Sequence, residues 1–561
     1  MIRLLVLGIL TACPLFAATY YVSPDGSDNN DGSLNAPWAS PAWATRQMAG
    51  GDELILLPGT YVLRVFDTDI LSPPSGSEDK YTLIHGSKKG DAVLAGADNL
   101  YAMIDLSGKH HLEIYDLELT HHNEAYARDG INGTAAPCSD IILRNLHIHH
   151  LDEFGINLRD VQNMLVDSCN IHHCGFGAAG GPQAGEGGGW INAQFEHSQL
   201  SWSGHYYQNG DTDNPYSRPD GFGIEPGPGP IRFINCTLEH NVGDGLDSKS
   251  DTTIVQNCVI ANNRTDGLKL WGSYGRIENT LIYGRGDGDS TPTPWSAVVI
   301  DTQSPNAAFE FVHCTIDDAL GHNYCMWAQY DHPDVPIDLN MVNTIVSSRG
   351  PSSSMFLGDS VQFTLRYSLF WMPENDILLQ HGNTSYDQTM LTGIGEQVLV
   401  ADPHFLLPAW GTDGDYHLSP SSAAIDAGLE TGLSVDLEGQ SRSLGSAPDM
   451  GAYENTQPIN VQARQRSNRL RNRSVICYPN PANPETMIHF FIPTTTNVEL
   501  MIYDIRGRRV RTLVRGTKIG GDHVVRWDGT DFTDRKCPTG FYIANLHTTS
   551  AVKCVRISLV R

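Results

Sequence analysis

Two short segments begin alike but carry opposite charges at matching positions. Asp244-Gly-Leu-Asp247-Ser-Lys is followed, 22 residues further on, by Asp266-Gly-Leu-Lys269-Leu-Trp. If the chain repeats a structural unit at this interval, Asp247 and Lys269 are neighbours on one surface. Clustered carboxylates repel one another unless a cation neutralises them, and a lysine beside such a cation has its ammonium form disfavoured. The pattern therefore predicts a divalent-metal site that also carries a general base.

Asp220 adds a third acidic position to this pattern. Asp220, Asp244 and Asp266 each precede a glycine, at intervals of 24 and 22 residues. Ca²⁺ accepts several oxygen ligands in irregular geometry, so the predicted ligands are Asp220, Asp244 and Asp247, with Asp266 or Glu225 in addition. The alternative is structural, because an Asp-Gly pair before a strand is a common turn and an exposed Asp–Lys pair contributes little to stability.

A Gly-rich insert with many aromatic residues separates Cys174 from Pro219. Aromatic rings can stack on sugar rings, and cationic side chains can meet a carboxylate, so such a wall over the acidic positions predicts a cleft. Lys249 and Trp271 belong to strands that should present them on the same face as the acidic residues. The predicted substrate-binding residues are Lys249, Trp271, Arg218, His205 and Tyr206.

A repeat explains these intervals. Short β-branched segments punctuated by Gly and Asn recur along the chain, and Cys236, Cys258 and Thr280 are 22 residues apart. Units of this length with little helical periodicity are typical of a parallel β-solenoid with one coil per repeat. The aligned segments are LRNLHI, VDSCNI, FINCTL, VQNCVI, IENTLI, FVHCTI and MVNTIV, between Leu143 and Val346.

Two columns of the repeat have structural explanations. The cysteines should form an inward ladder of small apolar side chains rather than disulfides; they are Cys169, Cys236, Cys258 and Cys314. The preceding column is asparagine, which tolerates the left-handed conformation of a tight corner, at Asn145, Asn235, Asn257, Asn279 and Asn343. In the strands that follow, alternation turns two columns of residues outward. One is Asn157, Gly223, Asp247 and Lys269, and the other is Arg159, Glu225, Lys249 and Trp271.

The order of segments predicts the organisation of the chain. Residues 1–18 have the basic start, apolar run and small residues of a secretory signal peptide, with a lipoprotein site at Cys13 as the alternative. Residues 19–454 form the parallel β-helix, closed by a cap at 401–454, and residues 455–474 are a polar linker. Residues 475–561 alternate strand and turn patterns typical of a small Ig-like β-sandwich. An all-β protein that is secreted or attached to the cell surface is expected.

The charge distribution limits the partners. The net charge is −27, yet from Asn460 onward 17 Lys and Arg face 7 Asp and Glu, so the acidic excess lies in the β-helix. A strongly acidic body argues against nucleic acid. An acidic polysaccharide can still bind if a metal ion reverses the local sign. We expect a monomer.

The C-terminal part resembles the sorting domains of proteins exported by type IX secretion. The resemblance rests on YPNP from Tyr478, IYDIRGRRV from Ile502, WDG from Trp527 and GFY from Gly540, in that order. It implies export across an outer membrane with the secretion machinery as partner, followed by cleavage or surface attachment. A carbohydrate-binding module is the alternative.

The acidic segments and the lysine resemble those of polysaccharide lyase family nine, calcium-dependent pectate lyases on a right-handed parallel β-helix. The resemblance rests on an aspartate 24 residues before DGLD and on NRTDGLKLWG after it. It implies that Asp220, Asp244 and Asp247 hold Ca²⁺, and that Lys269 removes the C5 proton of a uronate in a β-elimination. One departure is that the family has two adjacent aspartates where this chain has Gly243 and Asp244.

Several other functions stay open on the sequence. A non-catalytic β-helix that binds polysaccharide or acts as an adhesin would share the fold, since fold does not fix function. An alginate lyase or an epimerase would use the same ion and base. A glycoside hydrolase fits a central lysine poorly, because it needs paired carboxylates. Zinc is an alternative for the histidine-rich coils, at His121–His122, His147–His150 and His172–His173, whose recurrence indicates stacked solvent-side rings instead.

Overall fold

The structure is a computed structural model. It describes residues 17–122, 126–210, 213–284, 296–318, 324–329, 331–349, 354–409, 414–455, 475–478, 482, 484, 486–492, 496–518, 521–533, 535–548 and 552–560. Residues 1–16, with Cys13, and residues 456–474 lie outside this description. The predictions of a signal peptide and of a linker therefore fall almost wholly outside the described residues.

Three long sheets run the length of the larger domain. Within the described residues they contain 13, 13 and 12 strands, and a complete coil contributes one strand to each sheet. At the end of the third sheet, Thr384–Tyr386 returns antiparallel to Leu379–His381. The first sheet consists of Thr19–Val22, Glu53–Leu56, Thr82–Gly86, His110–Tyr115, Cys138–Arg144, Val161–Asp167, Trp190–Glu196, Ile231–Ile234, Thr252–Gln256, Tyr274–Glu278, Ala307–Val312, Ile337–Val342 and Val361–Arg366. The second sheet consists of Gly59–Leu63, Ala92–Gly96, Leu117–His121, His147–Leu151, Asn170–Cys174, Gln199–Ser201, Thr237–Glu239, Val259–Ala261, Leu281–Tyr283, Thr315–Asp318, Ile345–Ser348, Leu369–Trp371 and Leu399–Val400. The third sheet consists of Leu100–Asp105, Ala127–Gly133, Phe154–Leu158, Gly177–Gly180, Asp220–Gly227, Leu246–Ser250, Leu268–Leu270, Val298–Ile300, Met326–Ala328, Met355–Leu357, Leu379–His381 and Thr384–Tyr386.

Successive coils pair in parallel, so each strand repeats the inward and outward pattern of the one before it. Strand Leu246–Ser250 shows the alternation, with three buried residues separated by the half-buried Asp247 and Lys249. The inward side chains form one continuous apolar core from Val22 to Val398. Each large apolar side chain buried there stabilises the fold by about 1.5–3 kcal/mol. The expected parallel β-helix is confirmed.

Both predicted columns are confirmed. The cysteines of the repeat are buried and unpaired, which agrees with an inward ladder and not with disulfides. The asparagines have φ between 46° and 54°, the left-handed region in which asparagine is tolerated. The amide of Asn279 donates to the side-chain oxygen of Asn257 at 3.1 Å, so this pair bonds between coils as expected.

The remaining elements of this domain connect or flank the coils. The described helices are short: Pro41–Gln47, Phe66–Asp69, Gln388–Ile394 and the 3₁₀ turn Gln208–Gly210. None of the described helices has the length and apolar character needed to span a bilayer. Beyond the last coil, the chain from 414 to 455 packs back along the corner column. There Asn279 donates to the Val435 carbonyl at 2.9 Å, and Asn343 donates to the Leu429 carbonyl at 2.7 Å.

The C-terminal part is a separate antiparallel β-structure. One sheet contains Val475–Tyr478, Thr486–Ile492 and Gly521–Trp527, and the other contains Thr496–Asp504, Arg509–Lys518, Gly540–Thr548 and Val552–Leu559.

 The spatial order of this second sheet is Arg509–Lys518, Thr496–Asp504, Gly540–Thr548 and Val552–Leu559. The two sheets share a core around the fully buried Trp527. The expected small Ig-like β-sandwich is confirmed.

Candidate functional site

The third sheet brings the two oppositely charged positions together. Asp247 pairs directly with Lys269 on the next coil and with Gly223 on the preceding coil. Adjacent strands of a sheet are about 4.8 Å apart, so these outward residues form one continuous column. The prediction that Asp247 and Lys269 are neighbours on successive coils is confirmed.

Three carboxylates meet at one end of this column. Oxygen atoms of Asp220, Asp244 and Asp247 all lie within 4.8 Å of one another. Two glycines make this approach possible. A Cβ atom at Gly223 would lie 2.8 Å from Asp220 Oδ2, and one at Gly243 would lie 2.2 Å from Asp220 Oδ1. The sequence therefore places small residues where the Asp220 carboxylate enters the cluster.

The Asp-Gly column also has the structural role that was its alternative explanation. The Asp244 amide donates to Asp220 Oδ1 at 2.7 Å, and the Asp266 amide donates to Asp244 Oδ1 at 2.9 Å. The Ser296 amide donates to Asp266 Oδ1 at 3.1 Å. Each aspartate thus accepts from the backbone of the next coil. One carboxylate oxygen of each aspartate therefore accepts a backbone hydrogen bond of the turn. The carboxylates of Asp220, Asp244 and Asp247 also form the cluster.

Lys269 lies between the carboxylates and is only 5% exposed. Its Nζ is 3.5 Å from Asp244 Oδ2 and 3.4 Å from Asp266 Oδ2. The Trp271 ring also faces the ammonium group, with its centroid 5.2 Å from Nζ. Asp266, which the sequence offered as an additional metal ligand, is therefore placed as a partner of Lys269.

The surrounding charges fix the proton on Lys269 when the protein holds no cation. Burial lowers the pKa of Lys269, but Asp244, Asp266 and Asp247 together outweigh burial and raise that pKa above its usual range. The expected fall of this pKa towards neutrality depends on a cation that neutralises the carboxylates. The protein alone shows the opposite direction, because negative groups surround the amine.

Trp271 and Lys249 border the cluster. Trp271 Nε1 donates to Asp247 Oδ1 at 2.7 Å, which holds the carboxylate towards the column. Lys249 Nζ donates to Glu225 Oε1 at 3.0 Å and lies 4.0 Å from Asp247 Oδ2. Glu225, the other additional ligand considered, is thus paired with Lys249. Both predicted substrate-binding residues Lys249 and Trp271 are at the site.

The carboxylate cluster fits a hard cation. Burial, followed by repulsion from Asp244 and Asp247, raises the pKa of Asp220 well above its usual range. Burial and Asp244 raise the pKa of Asp247 to about 6. Carboxylates with raised pKa values lack a sufficient counterion, and several oxygen atoms at this spacing match the donors that Ca²⁺ prefers. Asp220, Asp244 and Asp247 would supply three ligands.

The raised pKa of Asp247 predicts a pH-dependent stability in the presence of chelator. The folded pKa of about 6 exceeds the unfolded value of about 3.9, so the folded protein binds the proton more tightly. Stability relative to Asp247→Asn should therefore fall as pH rises from about 4 to about 6. Urea unfolding of both proteins across this range measures the difference. A constant difference would contradict the prediction.

Gly243 stands where the resembled family has the first of two aspartates, and the structure gives a reason for glycine. Besides Asp220 Oδ1, a Cβ atom would lie 2.8 Å from the backbone carbon and oxygen of Arg218. We expect Gly243→Ala to reduce the free energy of unfolding by about 1–3 kcal/mol, as overpacking does.

Gly393→Ala is the matched control for this substitution. A Cβ atom at Gly393 meets nothing within 4 Å, and the residue lies in helix Gln388–Ile394. Alanine there should be neutral or stabilise by up to about 1 kcal/mol. Urea unfolding of both variants checks the pair, and equal effects would show that the contact at Gly243 does not decide stability.

The other predicted substrate-binding residues lie at different places. Arg218 is exposed, with its backbone beside Gly243. Tyr206 is 7% exposed and packs against His150, with ring centroids 5.1 Å apart. His205 contacts Trp202, at 5.1 Å between centroids. The structure therefore shows His205 and Tyr206 in contact with aromatic rings, Tyr206 with His150 of the histidine-rich coils and His205 with Trp202.

An aromatic continuation of the site column is not evident from the repeat. On the third sheet, Lys269 pairs with Val299, which pairs with Trp327, which pairs with Phe356. The ring of Tyr324 contacts both aromatic rings, with its centroid 5.4 Å from that of Trp327 and 5.2 Å from that of Phe356. The intervals between these coils are about 30 residues. The 22-residue spacing of the earlier coils therefore does not predict that these four residues are aligned.

Comparisons with known proteins find two right-handed β-helix families and one Ig-like family. Residues 20–288 match the family described as "Pel9A-like, right handed beta helix region", and residues 216–386 match "Right handed beta helix region". Residues 493–551 match the "FlgD Ig-like domain". The chain is 25% identical over 289 residues to pectate lyase PEL9 of Emericella nidulans, which covers 48% of this chain and 58% of that protein. The chain thus spans little more than half the length of this curated relative.

The comparison with solved structures finds, among others, two proteins of low sequence identity. Pectate lyase Pel9A is 16% identical, covering 78% of this chain and 96% of its own, with a TM-score of 0.44. The A-module of the Azotobacter vinelandii mannuronan C-5 epimerase AlgE6 is 14% identical, covering 63% and 92%, with a TM-score of 0.46. Over residues 20–288, which contain the carboxylate cluster and Lys269, the chain is therefore similar to the Pel9A-like right-handed β-helix proteins.

Proposed function

We propose that the protein is a polysaccharide lyase that cleaves a uronic-acid polymer by β-elimination, with pectate as the first substrate to test. The observation that carries this proposal is the register pair of Asp247 and Lys269. It places a buried amine against three carboxylates that can hold Ca²⁺. The similarity to Pel9A-like proteins and to a relative named as a pectate lyase supports the same chemistry.

Each group has a part in the proposed reaction. Asp220, Asp244 and Asp247 would hold Ca²⁺, which when bound would supply positive charge for the uronate carboxylate and for the charge that develops beside it. Lys269 accepts the C5 proton on Nζ. The electron pair of that C–H bond forms the C4–C5 double bond, and the C4–O bond breaks. The departing oxygen takes a proton from water, and an unsaturated sugar end remains.

The neutral form of Lys269 follows from the same arrangement. Asp244 and Asp247 are two of the three carboxylates that raise its pKa. Once these two residues bind a cation they no longer favour the ammonium form. Burial, which lowers the pKa of Lys269, then has less opposition. The base and the cation site are therefore coupled by direct contact.

The face around the site suits a polymer. Lys249 and Trp271 border the carboxylates, and Trp327 and Phe356 continue the same outward column along the sheet. Aromatic rings beside cationic and acidic groups are suited to binding sugars of an acidic chain. We assign Lys249, Trp271 and Arg218 to substrate binding, and the aromatic column to more distant sugar units.

The location of the protein belongs to the proposal as well. A signal peptide at 1–18, a β-helix at 19–454, a linker at 455–474 and a sorting domain at 475–561 would deliver the enzyme outside the cell. The match of residues 493–551 to an Ig-like domain supports the type of fold in the last part. The type IX secretion machinery is the proposed partner for export.

Product formation tests the proposal directly. Purified full chain is incubated with polygalacturonate, with alginate and with a neutral polysaccharide, in Ca²⁺ and in chelator, and ultraviolet absorbance of the unsaturated uronide is followed. A Ca²⁺-dependent rise with a uronan supports the lyase. Binding of a uronan without any absorbance rise would overturn it in favour of a non-catalytic polysaccharide-binding protein.

A further inference from the structure

The second sheet carries a cluster of histidines and one glutamate that the proposed reaction does not use. His147 and His149 are alternate outward residues of strand His147–Leu151. Glu118 is the register partner of His147 on the coil before, and His172 is the partner of His149 on the coil after. Three consecutive coils thus present side chains with nitrogen and oxygen donors on one patch.

Both histidines of the central strand converge on the glutamate. His149 Nε2 is 3.3 Å from Glu118 Oε1, and His147 Nδ1 is 3.9 Å from Glu118 Oε2. Ligand atoms of all three residues lie within 4.8 Å of one another. Donors bound to one tetrahedral Zn²⁺ at about 2.0–2.1 Å are about 3.3 Å apart, so only small side-chain movements would complete the site.

The remaining ring nitrogens have partners that orient the two imidazoles. His147 Nε2 lies 2.9 Å from His172 Nε2. His149 Nδ1 lies 2.7 Å from His150 Nδ1 and 3.2 Å from Thr120 Oγ1. Such outer hydrogen bonds fix the tautomer of metal-binding histidines and direct the other nitrogen to the metal. In this cluster the nitrogen left over on each ring is the one that faces Glu118.

Stacking alone does not account for this geometry. His149 stacks on His172 with centroids 5.1 Å apart, and His150 stacks on His173 at 4.9 Å. A ladder of rings explains the recurrence of histidine at these positions. It does not explain why two rings of one strand converge on a carboxylate. Burial and neighbouring histidines also lower the pKa of His149 to about 3, so its imidazole is neutral, as a metal ligand must be.

We propose that Glu118, His147 and His149 bind one Zn²⁺ ion or a similar divalent transition metal ion. This site lies on the second sheet and is separate from the carboxylate cluster. Imidazole and carboxylate donors suit Zn²⁺, and a water completes the four ligands. The side chains of His147 and Glu118 are 39% and 27% exposed, which gives the ion access. The bound ion joins two adjacent coils and stabilises the solenoid.

Zn²⁺ titration by calorimetry tests the site on untagged full chain, in excess Ca²⁺ that is added to compete for the carboxylate cluster. All proteins carry Cys554→Ser, because Cys554 is the exposed cysteine among those described. The variants are His149→Gln and Glu118→Gln, and the control is His404→Gln, whose side chain is 48% exposed beside Asp402. Co²⁺ absorption of the same proteins reports the coordination geometry.

We expect one equivalent of Zn²⁺ to bind the parent and the control, with affinity at least tenfold weaker in both variants. Zn²⁺ should raise the melting temperature of the parent and not of His149→Gln, by mass action on the folded state. Absence of saturable binding, or binding that both variants retain, would overturn the site. These readouts do not depend on lyase activity, so the two proposals can fail separately.

Discussion

Lys269→Arg is expected to lower turnover on a uronan by about 10²–10⁴-fold while the protein remains folded, the range that a general base contributes. Arginine keeps a positive charge beside Asp244 and Asp266, which lie 3.5 and 3.4 Å from the lysine nitrogen. Its guanidinium does not lose its proton in proteins, so it cannot accept the C5 proton. The absorbance assay measures turnover, and urea unfolding measures stability.

Lys88→Arg is the matched control. Lys88 is an exposed lysine in a turn after strand Thr82–Gly86, outside the carboxylate cluster and the proposed substrate-binding residues. The same change of lysine to arginine there should leave turnover unchanged. If Lys269→Arg kept the parent turnover, Lys269 would not be the base, and the Asp247–Lys269 pair would be a structural ion pair.

Lys269→Ala is less informative than the arginine variant. It leaves Asp244 and Asp266 without their cationic neighbour in a site where both are buried. Removing one partner of a buried ion pair typically costs about 3–5 kcal/mol. A loss of activity in this variant could follow from unfolding, so the comparison of Lys269→Arg with Lys88→Arg carries the test.

Asp247→Asn is expected to weaken Ca²⁺ binding at least about tenfold, since it removes one charged ligand from a site whose affinity depends on ligand charge. Asparagine can still accept the hydrogen bond that Trp271 Nε1 makes to Asp247 Oδ1, so the indole should stay in place. Turnover at limiting Ca²⁺ should fall accordingly. Calorimetric Ca²⁺ titration and the dependence of activity on Ca²⁺ measure the two effects.

The stability of this variant should change in the opposite direction. Without cation at neutral pH, Asp247 is ionised despite a pKa raised to about 6, and asparagine removes that repulsion. The variant should therefore be more stable than the parent in chelator but less active in Ca²⁺. Asp251→Asn, at an exposed residue outside the cluster, is the control. An unchanged Ca²⁺ requirement in Asp247→Asn would contradict the assignment.

The sequence by itself determined the coil and the central contact of the site. In a solenoid each repeat stacks on the next, so residues one repeat apart become neighbours. The 22-residue interval therefore predicted that Asp247 and Lys269 pair, and the sheet register confirms it. The inward cysteines and the corner asparagines followed from the same repetition, since each occupies one position of every coil.

The tertiary structure alone decided features that depend on inserts and on close approach. Later coils are about 30 residues apart, so the 22-residue repeat did not predict that Trp327 and Phe356 continue the column of Lys269. The insert after Cys174 placed Tyr206 against His150, a contact that the spacing did not predict. Insert lengths vary without changing the register of the sheets, so sequence spacing does not report where these residues lie.

The electrostatic state of the site was also beyond the sequence. Spacing predicted that Asp266 lies near the cluster, but its 3.4 Å contact with Lys269 makes it a partner of the amine. That contact helps to raise the pKa of Lys269, whereas the residue types alone suggested a fall beside a cation. The repeat fixes which residues are neighbours, while their distances and burial, which only the folded chain sets, decide which charge dominates.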